Sequence, residues 1–196
     1  MLSEIRAAIV STMLFTFILG LAYPLAVTGV AQAVFPYQAN GSLVTGAKGQ
    51  VLGSGLIAQP FARAEYLHPR PSAAGSNGYD PTSSGGSNYG PLSADLAKRV
   101  ASDAAALRKS TRREAIPDDA ITTSGSGLDP DISPAYAELQ ADRIARARGV
   151  SPGAVRSLID AHIQGPALGF LGQPRVNVLL ANLALDAAMP KAQPRR

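Results

Sequence analysis

AAIVSTMLFTFILGLAYPLAVTGVAQAVF, residues 7–35, contains no Asp, Glu, Lys or Arg. Its polar side chains are Ser11, Thr12, Thr16, Tyr23, Thr28 and Gln32. A helix needs roughly 20 mostly apolar residues to cross the hydrocarbon core of a bilayer, and this run exceeds that. It predicts a retained transmembrane helix over 7–35, preceded by a short N-terminus over 1–6 and followed by a soluble domain over 36–196. Pro24 lies inside the run, where it frees a carbonyl and is expected to bend the helix. Neighbouring helices or hydroxyl side chains can re-satisfy that backbone in a membrane. Gly20, Pro24, Ala26 and Gly29 offer a small-residue face that another helix can approach closely. Tyr37, just beyond, suits the interface. The competing reading is a cleaved signal peptide, since Ala31-Gln32-Ala33 has the small-x-small form of a cleavage site. Signal cores run only about 7–15 apolar residues, which favours the anchor.

Working outward, Arg6 flanks the front of the run and the first cation behind it is Lys48. The positive-inside rule therefore puts the N-terminus in the cytoplasm and the large domain outside it. Over all 196 residues, hydrophobic residues make up 46%, enough for a core, and charged residues only 16%. The net charge of +4 is scattered. Arg108, Lys109, Arg112 and Arg113 form one cluster, Arg143, Arg146 and Arg148 another, and Arg195 and Arg196 a tail. These read as solvated helix faces rather than a nucleic-acid footprint. There is no cysteine, which excludes a disulfide framework, thiol catalysis and cysteine metal sites.

The soluble part reads as α+β, with few strands and about four helices. Leu43–Val44 and Gln50–Ala58 have strand character, broken by Gly53 and Gly55. Lys48 lies among glycines but lacks the Gly-Lys-Ser/Thr order of a phosphate-binding loop. Residues 69–91, PRPSAAGSNGYDPTSSGGSNYGP, form a long Gly/Ser-rich loop, with 71–91 its most biased part. Arg70, Tyr79, Asp80 and Tyr89 are its candidate anchors, with Arg70 free to pair with Asp80. Leu92, Leu96, Val100 and Leu107 then recur at helical spacing. A linker follows, with a short strand expected at 120–123. Ser133-Pro134 starts a helix that Gly149 ends, with Tyr136, Leu139 and Ile144 facing inward. Ser151-Pro152 starts the next, with Val155, Leu158, Ile159 and His162 on one side and Gly165-Pro166 as its stop. Val176, Leu179, Leu180 and Leu183 mark a last amphipathic helix.

Catalytic chemistry is sparse. His68 and His162 are the only histidines, and neither has a partner at metal-ligand spacing. Asp129 and Asp131 can hold a cation, but a turn before Ser133 is the simpler use. There is no Gly-x-Ser-x-Gly elbow. The two helices around Ser151, with Arg156, also permit a helix-turn-helix, although the second helix carries few base-reading side chains.

In order along the chain stand Tyr23-Pro24, Gly53-Ser54, Phe61, Arg70-Pro71-Ser72-Ala73, Tyr79-Asp80, Ser84-Gly85-Gly86-Ser87-Asn88 and Gly90-Pro91. Beyond them come Gly125-Ser126-Gly127-Leu128-Asp129-Pro130, Ile132-Ser133-Pro134-Ala135, Gln140, Arg143, Ala145-Arg146-Ala147-Arg148-Gly149 and His162. The series closes with Leu168-Gly169, Gly172, Pro174-Arg175-Val176-Asn177-Val178 and Asn182-Leu183-Ala184-Leu185-Asp186. Over nearly its whole length the chain resembles the C subunits of the Kdp potassium-transporting P-type ATPases. It departs at Asp131, where many relatives have a histidine, and at Gln164-Gly165-Pro166.

The resemblance implies a single-pass subunit of the bacterial inner membrane. Its partners would be a channel-like potassium-binding subunit and an ATP-hydrolysing subunit, with membrane lipid around the span and no nucleic acid. It implies no catalytic residues, no metal and no tightly bound cofactor. It also implies a role as catalytic chaperone that raises the ATP affinity of the pump, with Gln140 the candidate ATP contact. The expected partner contacts are Gly20, Pro24 and Gly29 in the span and Arg70, Ser84, Gly85, Gly86 and Asn88 in the loop. A stand-alone extracytoplasmic binding module is the alternative from another class.

Overall fold

A computed structural model describes residues 2–190. The Arg195–Arg196 tail therefore lies outside the described residues. The chain divides into two compact units, Met1–Val51 and Leu52–Arg196.

The first unit is dominated by one helical run, α1 (Leu2–Phe17), a π segment (Ile18–Ala22) and α2 (Tyr23–Val34). Over Ser3–Val34 its mean hydropathy reaches 1.9, and none of that most apolar stretch is buried. At 1.5 Å per residue the run is roughly 48 Å long, more than the ~30 Å hydrocarbon core. Pro24 is accommodated without ending the helix. Its ring would collide with the carbonyl four residues back. The π segment resets the pairing just ahead of it, and the Tyr23 N–H donates to Ile18 O, five residues back. A single turn, α3 (Pro36–Ala39), and strand β1 (Leu43–Thr45) complete this unit, and Tyr37 donates its hydroxyl hydrogen to Ser42 O at 3.1 Å. Strand β2 (Val51–Ser54) follows.

Among its described residues the second unit carries four α-helices: α4 (Ala94–Thr111), α5 (Pro134–Arg148), α6 (Pro152–Ala161) and α7 (Val178–Ala188). Three are capped by serine. Ser93, Ser133 and Ser151 each accept a backbone N–H into the side-chain oxygen at the helix start, and Gly149 closes α5 at φ +70°. Three very short strands, β3 (Asp131–Ile132), β4 (Ile163–Gln164) and β5 (Arg175–Asn177), form an antiparallel sheet in the order β3-β5-β4. In its register Val176 faces both Ile132 and Ile163. The core gathers Leu67, Ile132, Ile144, Val155, Ile159, Val176, Val178 and Leu185, all buried.

Several expectations are corrected. The strand expected at 120–123 is a 3-10 turn, Asp118–Ala120. Asp119 accepts the Ser133 backbone N–H at 2.6 Å and its hydroxyl at 2.8 Å, which holds the segment as a bracket for the start of α5. Leu92 precedes α4 and is 98% exposed. Val176 belongs to β5, and α7 starts only after Asn177, whose side chain accepts from the Leu180 N–H. Leu180 faces outward, and Leu185 takes the buried place instead.

Candidate docking site

The Gly/Ser-rich loop has no regular secondary structure, yet side chains hold it at many points. It enters through Tyr66–Pro69, an irregular segment pinned by two amides. Asn182 on α7 accepts the Leu67 N–H at 2.7 Å and donates to Leu67 O at 3.0 Å. Gln140 on α5 accepts the His68 N–H at 2.8 Å and donates to His68 O at 3.1 Å. Buried backbone must find partners, and among the described residues no β-strand pairs with this segment to supply them.

Arg70 follows directly. It does not pair with Asp80. It meets Asp129 at 3.2 Å, and its other nitrogen donates to Thr122 and Thr123 at 3.4–3.5 Å. Asp80 instead accepts from the Thr82 N–H and hydroxyl, which lowers its pKa. Asp129 and Asp131 are thus used within the turn. Asp129 also accepts the Asp131 N–H, and Asp131 pairs with Arg175 at 2.9 Å.

Beyond Arg70 the loop folds on itself around Ser72. Its oxygen accepts the Tyr79 N–H at 2.8 Å and its hydroxyl donates to Gly127 O at 2.6 Å. The Tyr79 hydroxyl reaches back to Arg70 O, and burial pushes its pKa up. The tip then lies on residues 124–127. Gly85 N–H and the Ser84 hydroxyl both donate to Ser126 O. Gly127, at φ +66°, has no room for a side chain, since a Cβ would come within 2.6 Å of Gly85 O. A Cβ at Gly86 would come to 3.1 Å from Gly125 O. Backbone against backbone at this distance is what glycine allows. Asn88, at φ +53°, is exposed beside Tyr89, over whose ring the Arg99 guanidinium lies at 6.0 Å. Arg70, Ser84, Gly85 and Gly86 are thus brought together against residues 122–129, with Asn88 on the outer lip.

Gln140 stands apart from that group. Beside its clamp on His68 it accepts from Arg143, and it borders a cleft of about 520 Å³ carrying Lys109, Arg112, Arg113 and Arg146. Burial, then the nearby Arg143 charge, lower the His68 pKa, and burial also lowers that of Arg143. Desolvation raises the Tyr136 phenol to about 12.

Arg148, expected on a solvated face, and Arg156, the candidate reader of a helix-turn-helix, are both otherwise engaged. Arg148 is buried and donates to Glu65 O, Leu185 O, Met189 O and the Asp186 carboxylate, with its guanidinium 5.3 Å from the Tyr66 ring centroid. Arg156 is held by Glu138 and Asp142 on α5, which leaves the helix-turn-helix reading without its reader. His162 caps α6, its Nδ1 2.8 Å from Leu158 O. Asn182 and Ser72 are the organising residues that chemistry-based reading passed over. Their only signal was a polar side chain among apolar or small neighbours.

In the span, Gly20 and Gly29 both look onto open space. A Cβ at Gly29 would meet nothing within 4 Å, and one at Gly20 only Thr16 at 3.9 Å. Among the described residues no group of three or more His, Cys, Asp or Glu side chains is placed to hold a metal.

Residues 5–187 match the family described as KdpC: K+-transporting ATPase, c chain. A potassium-transporting ATPase KdpC subunit from Caulobacter sp. (strain K31) is 65% identical over 97% of this chain and 96% of its own length. One from Beijerinckia indica is 56% identical over 99% and 98%, and one from Geobacter sulfurreducens 51% identical over 96% and 100%.

Proposed function

This chain belongs to the KdpC family, and on that premise we propose that it is the non-catalytic accessory subunit of an ATP-driven potassium uptake complex. In this reading the helix Ser3–Val34 anchors it in the inner membrane beside the channel-like potassium-binding subunit and the ATP-hydrolysing subunit. The domain outside the cytoplasm then stabilises their assembly. The observation that carries the reading is full-length likeness to potassium-transporting ATPase subunits combined with an apolar helix that buries nothing within its own chain. A helix of that kind needs lipid or other helices around it.

The reading divides at Gln140. A catalytic chaperone that raises ATP affinity by direct contact needs a free polar group and a domain on the nucleotide's side of the membrane. The Gln140 amide is occupied by His68 and Arg143, and the cation distribution around the span favours the opposite side. Both points support assembly over nucleotide contact, with any effect on ATP exerted through the complex and no cofactor held by this chain.

The test is affinity purification of the C-terminally tagged full chain from membranes solubilised in mild detergent. Two larger membrane subunits are expected to co-purify. Isolation of the chain alone would leave the stand-alone binding module. A reporter active only outside the cytoplasm, fused after Arg196, is expected to be active. Activity of a cytoplasm-only reporter there would reverse the orientation and revive direct nucleotide contact.

A further inference from the structure

Two adjoining hollows flank the turn that follows α4, and their chemistry differs. The first is the cleft of about 520 Å³ whose lining includes Lys109, Arg112, Arg113 and Arg146. α4 ends on Arg112 at φ +57°, which reverses the chain and brings Arg112 and Arg113 to the same cleft as Lys109. All four cations are exposed, and among the described residues none of their side chains forms a hydrogen bond or an ion pair. The acids bordering the cleft do not neutralise them, because Glu138 and Asp142 are both held by Arg156. Four unpaired cations around one concavity attract a phosphate. The second hollow, of about 620 Å³, is a groove walled by Ile116, Pro117, Ala135 and Leu139, with exposed Glu114 at its rim. Ile116 and Leu139 rest on the core and stay half-buried, so each keeps apolar surface toward the groove. Arg113 and Leu139 line both hollows. Together they offer one ligand a cationic end and a hydrocarbon end.

We propose that the two hollows together hold one anionic phospholipid, its phosphate among Lys109, Arg112, Arg113 and Arg146 and an acyl chain against Ile116, Pro117 and Leu139. The proposal goes beyond the subunit reading. It takes from that reading only the membrane anchor Ser3–Val34, a tether that keeps lipid at high effective concentration. Inorganic phosphate would use the basic cleft and leave the groove empty. A nucleotide would turn the polar edge of its base onto Ile116, Pro117, Ala135 and Leu139, which have no side-chain group to bond it. A zwitterionic lipid would bring its own cation to four others. An anionic phospholipid satisfies both ends. Each nearby Lys or Arg favours its headgroup, and each buried methylene adds to the binding.

The experiment follows thermal unfolding of the full chain, alone in neutral detergent, while dioctanoyl phosphatidylglycerol is added. A ligand that binds only the folded state raises the midpoint, and a saturating rise of several degrees is expected. Dioctanoyl phosphatidylcholine, the chain-free headgroup glycerophosphoglycerol, inorganic phosphate and ATP are each expected to leave the midpoint in place at the same concentrations. Lys109→Gln with Arg113→Gln removes two cleft cations whose side chains have no partner among the described residues, so the variant folds as the parent does. The lipid concentration needed for half the rise is expected to increase about tenfold or more in it, as for two cations lost beside an anionic headgroup. Lys48→Gln with Lys98→Gln removes the same charge elsewhere and is expected to behave as the parent. No rise with phosphatidylglycerol overturns the proposal. So does an equal rise with phosphatidylcholine, which would mean hydrocarbon binding alone, or with glycerophosphoglycerol, phosphate or ATP, which would mean a site for soluble anions. An equal loss in the two variants would mean diffuse charge and overturns it too. Because no other subunit is present, none of these results bears on membership of the pump, which co-purification tests separately.

Discussion

Asn182 and Gln140 hold consecutive residues of one irregular segment with the same pair of bonds. Each amide accepts the N–H and donates to the C=O of a single residue, Leu67 for Asn182 and His68 for Gln140. Two helix side chains thus do for Tyr66–Pro69 what a neighbouring strand does in a sheet. Leu67 is fully buried, so the arrangement lets an apolar residue enter the core without orphaning its backbone.

The two clamps are expected to differ in strength. Asn182→Ala leaves a buried donor and acceptor without partners, which costs about 1–3 kcal/mol. Gln140→Ala is expected to cost less, because His68 borders an open cleft where water can replace the amide. Urea unfolding of the full chain in detergent, comparing midpoints at constant m-value, checks the order. A larger loss at Gln140 would mean that the cleft is drier than its opening suggests.

The loop predictions separate folding from docking. Arg70 combines an ion pair with bonds to Thr122 and Thr123, so Arg70→Ala is expected to cost about 1–3 kcal/mol. Arg70→Lys should recover only part, since the ammonium lacks the planar fork. Asn88 is exposed at positive φ, where glycine fits without strain. Asn88→Gly should therefore leave the unfolding midpoint unchanged. If the outer lip docks on the pump, the same change lowers recovery of the complex. Unchanged recovery would confine the loop's role to its own domain.

Acid should weaken the domain through His68. Its folded pKa lies below the ordinary 6.5, through burial and then the nearby Arg143 charge, against a backbone hydrogen bond to Arg63 that raises it. The folded state therefore binds fewer protons than the unfolded chain once the pH drops toward 6.5. The stability this neutral imidazole contributes is present above that value and is lost as pH falls below it. His68→Gln removes the titration. The parent-minus-variant difference in unfolding midpoint, measured between pH 7.5 and 5, should shrink toward the acid end. A difference independent of pH would show that His68 does not titrate differently on folding.

What was legible in the sequence was local. Ser133 with Gly149, and Ser151, mark helix ends because a cap bonds within one turn of its own helix. The strands β3, β4 and β5 were not legible, because two or three residues carry no alternation to detect and their pairing joins Ile132, Ile163 and Val176 from distant parts of the chain. Arg70 shows the same limit. Asp80 was the near carboxylate in sequence, but the loop closes on itself around Ser72 and turns Arg70 toward Asp129. Arg148 looked like its neighbour Arg146 by composition, and only packing against α7 separates the buried one from the exposed one. The apolar span was readable because length and composition alone set its requirement. The π segment that accommodates Pro24 left no such mark.

The span provides the last test. Gly20 and Gly29 have open space where a side chain would go, and helices in lipid associate through small residues that let backbones approach. An inert anchor would tolerate bulk at both positions, because leucine is as compatible with hydrocarbon as glycine is. A packing face would not, since two isobutyl groups would hold a neighbouring helix away. Gly20→Leu with Gly29→Leu should also favour the helix itself, glycine being the poorer helix former by roughly 1 kcal/mol per site. Insertion and helicity are therefore expected to be unimpaired while recovery of the larger subunits falls. Membrane fractionation with alkaline extraction reports insertion, and co-purification from the same membranes reports assembly. Full recovery of the complex by the double variant would reduce the helix to a tether and leave assembly to the rest of the chain.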